Sequence, residues 1–228
     1  MNKLLRNLLN LRFSLFFIKY YHNLAVQPFS KIIAKILILF YWPKNRNKKM
    51  VFGIGLSRTG TASLNAALNE LGIKSKHFIF YPSTTKIPYI YLALKDALAA
   101  TDIPISANYK RIDKLYPNSK FILTIREIES WLNSCKFFFT YRINIEKAHK
   151  WLKEIHLKLY NTLKYDHEKF RIGYYNHLKD VQNYFRNRPE DLIIIDIVGG
   201  EGYEKLCPFL GLGVLKKQFP HKNIGNIT

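Results

Sequence analysis

Residues 50–64, MVFGIGLSRTGTASL, join a short apolar run to a turn rich in glycine and hydroxyl side chains. The run at 50–55 is apolar and ends in glycines, which predicts a buried strand. Beyond the turn, residues 62–71 carry apolar side chains at helical spacing, and Gly72 follows them as a helix-ending glycine would. The stretch therefore predicts a strand that enters a helix through a glycine-rich loop.

The rest of the chain repeats this alternation of strands and helices. Further strands are predicted at 74–80, at 120–125 (KFILTI) and at 192–197 (LIIIDI). Helices are predicted at 89–100, at 128–139, within 143–187 and at 203–210. KFILTI and LIIIDI are apolar with little alternation, which is typical of a parallel sheet covered on both faces. The expected fold class is α/β, with a parallel central sheet and helices on both faces.

Parallel sheets of this kind bind ligands beyond the carboxyl ends of their strands. The loop after the first strand offers backbone N–H groups, the positive end of a helix dipole and several side-chain donors, which together suit an anion. Hydroxyl groups come from Ser57, Thr59, Thr61 and Ser63, and Arg58 adds a permanent cation.

Two common nucleotide-binding motifs fit this loop poorly. Gly55 and Gly60 have the spacing of the kinase loop G-x-x-x-x-G-K-[ST], but Thr61 stands where the phosphate-binding lysine belongs. The dinucleotide fingerprint G-x-G-x-x-G requires a third glycine at the position of Arg58. A second anion site is indicated at the end of KFILTI, where Arg126 is followed eight residues later by Ser134.

These residues resemble the sulfotransferases that use 3′-phosphoadenosine 5′-phosphosulfate (PAPS), in particular the bacterial-type branch with the loop G-x-x-R-T-G-T. The resemblance rests on Gly55 to Thr61, on the Asp-x-Pro segment that begins at Asp102, and on the K-F-I-L-T-x-R strand that ends at Arg126. It covers residues 51–223 and departs from the pattern at Ala62, where a hydroxyl residue is usual, and at Ile128, where a proline is usual.

The resemblance implies a P-loop-NTPase-like fold and transfer of a sulfuryl group from PAPS to a hydroxyl or amine, with 3′,5′-bisphosphoadenosine (PAP) as the product. The loop would hold the 5′-phosphosulfate, Arg58 would neutralise the leaving oxygen, and Arg126 with Ser134 would hold the 3′-phosphate. The cofactor-binding residues predicted in the loop are Ser57, Arg58, Thr59, Gly60, Thr61, Ala62 and Ser63. No His, Cys, Asp or Glu cluster has metal-ligand spacing, so a metal-free site is expected.

A hydroxyl acceptor calls for a general base, and two candidates lie near predicted strand ends. Asp102 belongs to the Asp-x-Pro segment that the resemblance singles out, and His77 follows the start of the second predicted strand. The catalytic residues predicted are therefore Arg58 with Asp102 or His77. The acceptor pocket is expected to use aromatic side chains, with candidates at Tyr81, Tyr89, Tyr91, Phe137, Phe138, Phe139 and Tyr141.

The positive charge of the chain is concentrated at its start. The formal net charge is +20, and residues 1–50 contain ten Lys or Arg but no Asp or Glu. We assign residues 1–49 to a basic, apolar helical segment and residues 50–228 to the sulfotransferase-like domain. Charges interleaved with Leu, Ile and Phe suit either helices lying on an anionic membrane or helices packed on the domain. No stretch is long enough to span a bilayer.

The scarcity of cysteine, Cys135 and Cys207 alone, favours a reducing compartment, and the expected location is cytoplasmic, with membrane association through residues 1–49 as an option. No nucleic-acid-binding motif is present. The acceptor stays open between a small molecule, a lipid and a glycan. Two alternative functions also stay open: a P-loop-like nucleotide kinase, and a non-enzymatic basic protein at the membrane periphery.

Overall fold

The computed structural model describes residues 48–79, 93–94 and 96–222 of the chain. The predictions made for residues 1–47, and for the aromatic residues Tyr81, Tyr89 and Tyr91, lie outside this part. Within the described residues, no helix combines the length and apolarity needed to cross a membrane.

A five-stranded, all-parallel sheet organises the fold, in the order β2-β3-β1-β4-β5. The strands are β1 Val51–Gly53, β2 Ser75–His77, β3 Ala99–Thr101, β4 Lys120–Thr124 and β5 Leu192–Ile195. β1 is central, and its Phe52 lies between Ala100 of β3 and Phe121 of β4. The predicted α/β class with a parallel sheet is confirmed.

Helices cover both faces of the sheet. They are α1 Thr61–Glu70, α2 Ile103–Ser106, α3 Tyr109–Leu115, α4 Ile128–Phe137, α5 Lys150–Tyr160, α6 His167–Phe185 and α7 Tyr203–Leu210. Because strand side chains alternate between faces, Phe52 and Phe121 join one buried cluster with Phe185 of α6. Ile122 joins the opposite cluster, which contains Leu64 of α1 and Leu206 of α7.

The predicted helix at 89–100 is wrong at its end, because Ala99 and Ala100 belong to strand β3. Alanine favours helices, which is why the local pattern was misleading. Ala99 and Ala100 are instead fully buried between β1 and β2, with hydrogen-bonding strands on both sides. Pairing with neighbours far along the chain outweighs local propensity here.

The helical pattern predicted within 143–187 divides into two helices. α5 ends at Asn161, which adopts a left-handed conformation (φ 52°), and α6 begins after Asp166, whose side chain accepts a hydrogen bond from the Lys169 N–H. A π-helical turn, Phe138–Arg142, follows α4 directly. Short 3-10 turns lie at Ile145–Lys147 and Pro189–Asp191.

Candidate active site

The loop after β1 is held in place by three surrounding elements. The indole N–H of Trp131 on α4 donates to the Ser57 carbonyl at 2.9 Å. The Ser106 hydroxyl of α2 donates to the Gly55 carbonyl at 2.7 Å, and His177 Nε2 of α6 donates to the Ile54 carbonyl at 2.7 Å. All three contacts satisfy backbone carbonyls of the loop, so they help to fix its conformation.

The start of α1 leaves a helix N-terminus open to the site. Gly60 precedes the helix with φ 95°, and no side chain caps the first turn. Thr61, Ala62 and Ser63 line the adjoining cavity. The first N–H groups of a helix lack intrahelical acceptors and carry the positive end of its dipole, so this turn can bind an anion.

Thr59 is the one predicted loop residue that does not line the cavity. Its hydroxyl bonds the Leu56 carbonyl and the Thr124 hydroxyl, each at 2.6 Å, and the side chain is almost fully buried. Its backbone N–H lies 3.3 Å from the same Leu56 carbonyl. Thr59 therefore shapes the loop and offers little to a ligand.

Arg58 lies at the centre of the site, in a left-handed conformation (φ 74°). Its Nε donates to Ser134 Oγ at 2.9 Å, and its guanidinium carbon lies 5.0 Å from the centre of the Phe138 ring. The second contact is a cation–π interaction. Burial lowers the pKa of Arg58, which marks a cation that has lost part of its hydration.

Arg126 brings a second guanidinium beside Arg58. Its Nε and Nη2 both donate to Ser130 Oγ, at 2.9 and 2.8 Å, and its Nη1 donates to the Arg58 carbonyl at 3.3 Å. Burial and then the charge of Arg58 lower the pKa of Arg126. Among the described residues no carboxylate forms an ion pair with Arg126. The positive charges of Arg58 and Arg126 repel each other, and an anion bound between the two side chains would relieve this repulsion.

The predicted pair Arg126 and Ser134 is thus not bonded directly. Ser134 holds Arg58, and Ser130, one turn earlier on α4, holds Arg126. Sequence reasoning missed Ser130, although its place in the first turn of the helix that follows Arg126 was a usable signal. Both serines line the cavity.

Asp102 follows β3 and occupies a strained backbone conformation (φ 87°, ψ 178°), a region that is nearly specific to glycine. Its Oδ1 accepts hydrogen bonds from the Ser57 hydroxyl at 2.7 Å and from the Ile103 N–H at 2.8 Å. The residue is 7% exposed. A buried, strained carboxylate fixed by two donors is a feature of functional sites.

His77 lies beside Asp102, so the two candidate bases are neighbours. His77 Nε2 is 3.4 Å from Asp102 Oδ2, and His77 Nδ1 is 2.9 Å from Thr101 Oγ1. The Thr101 hydroxyl donates to the Thr61 carbonyl at 3.3 Å, so His77 Nδ1 acts as the donor to Thr101. Nε2 of the neutral ring is then free of hydrogen and can receive a proton.

These groups line one cavity of about 1060 Å³ beyond the carboxyl ends of the strands. Every predicted site residue except Thr59 contributes to it: Ser57, Arg58, Gly60, Thr61, Ala62, Ser63, His77, Asp102, Arg126 and Ser134. Its opposite wall is apolar and includes the predicted Phe137, Phe138 and Phe139, while Tyr141 is 71% exposed and does not line it.

Other lining residues besides Ser130 were also missed from the sequence. His156 lies in the apolar wall, and no motif or spacing in α5 distinguishes it from a core histidine. His221 and Lys222, near the end of the described chain, also line the cavity, and the Lys222 N–H donates to Ser63 Oγ at 2.9 Å.

Within residues 48–79, 93–94 and 96–222, no group of three or more His, Cys, Asp or Glu side chains is placed to hold a metal ion. The chain is thus an α/β protein whose parallel sheet carries a helix N-terminus and two arginines at its carboxyl edge, a site suited to an anionic ligand.

Comparison with known proteins identifies the family to which the chain belongs. A family model described as a sulfotransferase domain matches residues 50–90 and 81–227. The chain therefore belongs to the sulfotransferase domain family, and is a transferase by class. It is also similar to Ava biosynthesis cluster protein M of Aspergillus versicolor, at 25% identity, with 75% of this chain and 79% of that protein covered.

Proposed function

We propose that this chain is a PAPS-dependent sulfotransferase of the branch with the G-x-x-R-T-G-T loop, acting on a hydroxyl or amine of a small-molecule acceptor. Sulfotransferases generally use PAPS as the donor. The observation that carries the proposal is that the α1 N-terminus, Arg58, Arg126 and the Asp102–His77 pair line one cavity. An anion site beside a proton acceptor is what sulfuryl transfer to a hydroxyl needs.

The donor would lie along the loop and the two arginines. The N–H groups at the start of α1 suit the 5′-phosphate, and the Arg126 guanidinium, fixed by Ser130, suits the 3′-phosphate. Arg58, fixed by Ser134, lies between these regions and would stabilise the charge that develops on the departing phosphate oxygen. Ser134 then serves the donor through Arg58 as well as by its own hydroxyl.

The transfer itself is a single displacement at sulfur. A bond forms between the acceptor oxygen and sulfur while the bond between sulfur and the 5′-phosphate oxygen breaks, and PAP leaves with that electron pair. The acceptor proton is lost to the enzyme in the same step. The protein supplies position, charge and a base.

Asp102 Oδ2 is the proposed base. Oδ1 already accepts two hydrogen bonds, whereas the described contact of Oδ2 is with His77 Nε2 at 3.4 Å. A proton taken by Oδ2 can pass to Nε2, so the two candidates act in sequence rather than as rivals. The Thr101 contact of Nδ1 keeps the imidazole in the tautomer that this relay requires.

A small acceptor is favoured over a polymer because the cavity of about 1060 Å³ has an aromatic wall. The Aspergillus relative is named for a biosynthesis cluster, which also supports a small molecule as the acceptor.

Thermal shift measurements with PAP, ATP and NAD, each with and without Mg²⁺, test the proposal. We expect PAP to raise the melting temperature without metal, and to do so more than ATP or NAD under any condition. Stabilisation by ATP and Mg²⁺ above that by PAP would instead support the kinase alternative.

A further inference from the structure

Arg126 leaves the sheet at a point where its own backbone needs partners. Strand β4 ends at Thr124, and the Ile125 N–H still donates to the Ile195 carbonyl of β5 at 3.0 Å. Helix α4 begins only at Ile128. The N–H and C=O groups of Arg126 lie between these two elements, and a backbone group that is withdrawn from water without a partner costs stability.

One hydroxyl group on α6 satisfies both of these backbone groups. Tyr174 Oη accepts a hydrogen bond from the Arg126 N–H at 3.1 Å and donates one to the Arg126 carbonyl at 2.7 Å. A phenolic hydroxyl can donate and accept at once, so it suits this pair of groups. Burial raises the pKa of Tyr174, so the hydroxyl keeps its proton at neutral pH. Tyr174 therefore fixes the backbone of Arg126.

The ring of Tyr174 is itself held against Trp131. The ring centroids are 4.8 Å apart, and Trp131 is fully buried while Tyr174 is 7% exposed. Trp131 also donates its indole N–H to the carbonyl of Ser57, the residue before Arg58. One packed pair of aromatic rings thus contacts the backbone beside each arginine of the site. Neither ring lines the cavity, so both lie behind the site and not in it.

The side chain of Arg126 depends on where its backbone lies. Its Nε and Nη2 reach Ser130 Oγ, and its Nη1 reaches the Arg58 carbonyl at 3.3 Å. Ser130 belongs to the first turn of α4, and Arg58 belongs to the loop after β1, so neither partner moves together with residue 126. The contact with Arg58 is already at the long end of the range for N–H···O bonds. A shift of the Arg126 backbone would therefore loosen the guanidinium.

We propose that Tyr174 is a positioning residue for the donor site, and that its hydroxyl holds the Arg126 guanidinium in the place that a bound phosphate requires. The inference rests on the proposed function at one point, the assignment of Arg126 to the 3′-phosphate. Arginine binds phosphate through a planar fork of donors, so its affinity for that group depends on orientation as well as charge. Removal of the Tyr174 hydroxyl leaves the charge in place and frees its orientation.

Tyr174→Phe removes the hydroxyl and keeps the ring against Trp131. We expect the variant to bind PAP about 3–10-fold more weakly, the effect of a lost hydrogen bond, and to bind 5′-AMP within about twofold of the wild-type affinity. In the Arg126→Ala background the same substitution should change PAP affinity by less than about twofold, because no guanidinium is left to position. Calorimetric titration of the wild-type chain, both single variants and the double variant measures these effects.

Tyr184→Phe is the matched control on the same helix. The Tyr184 hydroxyl donates to the buried carboxylate of Asp113 at 2.7 Å, so this substitution also removes a hydrogen bond, but at a residue outside the cavity. It should leave the ratio of PAP to AMP affinity unchanged. A change of that ratio in Tyr184→Phe, an unchanged ratio in Tyr174→Phe, or a full effect of Tyr174→Phe in the Arg126→Ala background would overturn the positioning role.

A measurement without nucleotide separates this inference from the proposed function. The Nε–H of Arg126, which donates to Ser130 Oγ, gives a magnetic resonance signal in a chain labelled at its arginine nitrogens, and Arg126→Ala identifies it by its absence. We expect this proton to exchange with water faster in Tyr174→Phe than in the wild-type chain or in Tyr184→Phe. Failure of PAP to bind the wild-type chain would contradict the proposed function and leave this comparison valid. Equal exchange in all three proteins would overturn the role of Tyr174.

Discussion

At the scale of single residues, Asp102 is the most constrained group of the site. Its backbone conformation costs about 1–3 kcal/mol for a residue with a side chain, and persists because the surroundings determine it. Ser57 and Ile103 hold Oδ1 from two directions, while Oδ2 lies beside His77. Because this strain costs stability, its presence at one carboxylate indicates that the position of Asp102 serves function rather than stability.

We expect Asp102→Asn to lower turnover by about 10²–10⁴-fold, the usual contribution of a general base. The asparagine oxygen can still accept both hydrogen bonds at Oδ1, so PAP affinity should stay within about twofold of the wild-type value. Steady-state sulfuryl transfer and calorimetric titration of PAP measure the two effects. Glu168→Gln, at an exposed site on α6, is the matched control, and full activity in Asp102→Asn would transfer the role of base to His77.

Arg126 allows a test of how the donor is recognised. Its guanidinium is half-buried, is fixed by Ser130 and lies close to the positive charge of Arg58. A 3′-phosphate would therefore relieve the repulsion between the two arginines as well as accept hydrogen bonds. We expect Arg126→Ala to weaken PAP binding by about 10–100-fold, with little effect on 5′-AMP, which lacks that phosphate. Ser134→Ala should act in the same direction, more mildly.

Isothermal titration of both nucleotides against each variant measures this discrimination. Arg186→Ala, at the exposed end of α6, removes an equal charge outside the cavity and should change neither affinity. An equal loss of PAP and AMP affinity in Arg126→Ala would show that the residue does not recognise the 3′-phosphate.

At the scale of elements, the site depends on how closely the loop after β1 approaches the end of β4. A Cβ atom at Gly55 would lie 1.8 Å from Thr124 Oγ1 and 2.6 Å from the Thr124 carbonyl oxygen. The same Thr124 hydroxyl bonds Thr59 within the loop. No side chain fits at this position unless β4 or the loop moves.

We expect Gly55→Ala to lower the free energy of unfolding by about 1–3 kcal/mol, the usual range for overpacking. The displaced loop should also bind PAP more weakly. Urea unfolding and PAP titration test both effects. Gly213→Ala, where no atom lies within 4 Å of the added carbon, should leave stability within about 0.5 kcal/mol of wild type. A Gly55→Ala protein as stable as that control would contradict the close packing.

The turn after α4 is the element least foreseen from local pattern. The helix passes directly into a π-helical turn at Phe138–Arg142, an irregularity that is frequent at functional sites. The turn brings Phe138 under Arg58 and Phe139 against His156. One element thus joins the proposed donor site to the aromatic wall of the cavity.

At the scale of the whole molecule, buried neutral histidines couple stability to pH. Burial lowers the pKa of His156 to about 4 and also lowers that of His177, whereas both groups titrate near 6.5 in an unfolded chain. Between these values the unfolded chain binds more protons than the folded one. The stabilising contribution of neutral His156 is therefore complete above pH 6.5 and is lost as pH falls toward 4.

We expect the free energy of unfolding of His156→Phe to depend less on pH than that of the wild-type chain between about pH 4 and pH 6.5. Between pH 7 and pH 4, the free energy of unfolding of the wild-type chain should fall by up to about 3 kcal/mol more than that of the variant. Urea unfolding of both proteins at intervals of one pH unit gives the difference, in which the shared contribution of the carboxylates cancels. His167→Phe should follow the wild-type curve, and identical curves for all three proteins would mean that His156 titrates normally.

The sequence by itself determined the α/β class, and it predicted the loop at 53–64 and most of the residues that line the cavity beside that loop. These features are local: an apolar run, glycines and hydroxyl residues at fixed spacing, and an arginine at the end of a strand predict their own conformation and chemistry. Ala99–Thr101 shows the limit, because its alanine-rich sequence favours a helix, and only pairing with β1 and β2 makes it a strand.

Only the tertiary structure decided which of these residues meet. Ser57 and Asp102 are 45 positions apart in sequence, and Arg58 and Ser134 are 76 apart, yet each pair is hydrogen-bonded. Folding also buries the Thr59 hydroxyl in the protein interior, places His77 beside Asp102 and sets His156 in an apolar wall of the cavity. Such contacts depend on how strands and helices pack across the whole chain, and no spacing within a single segment encodes them.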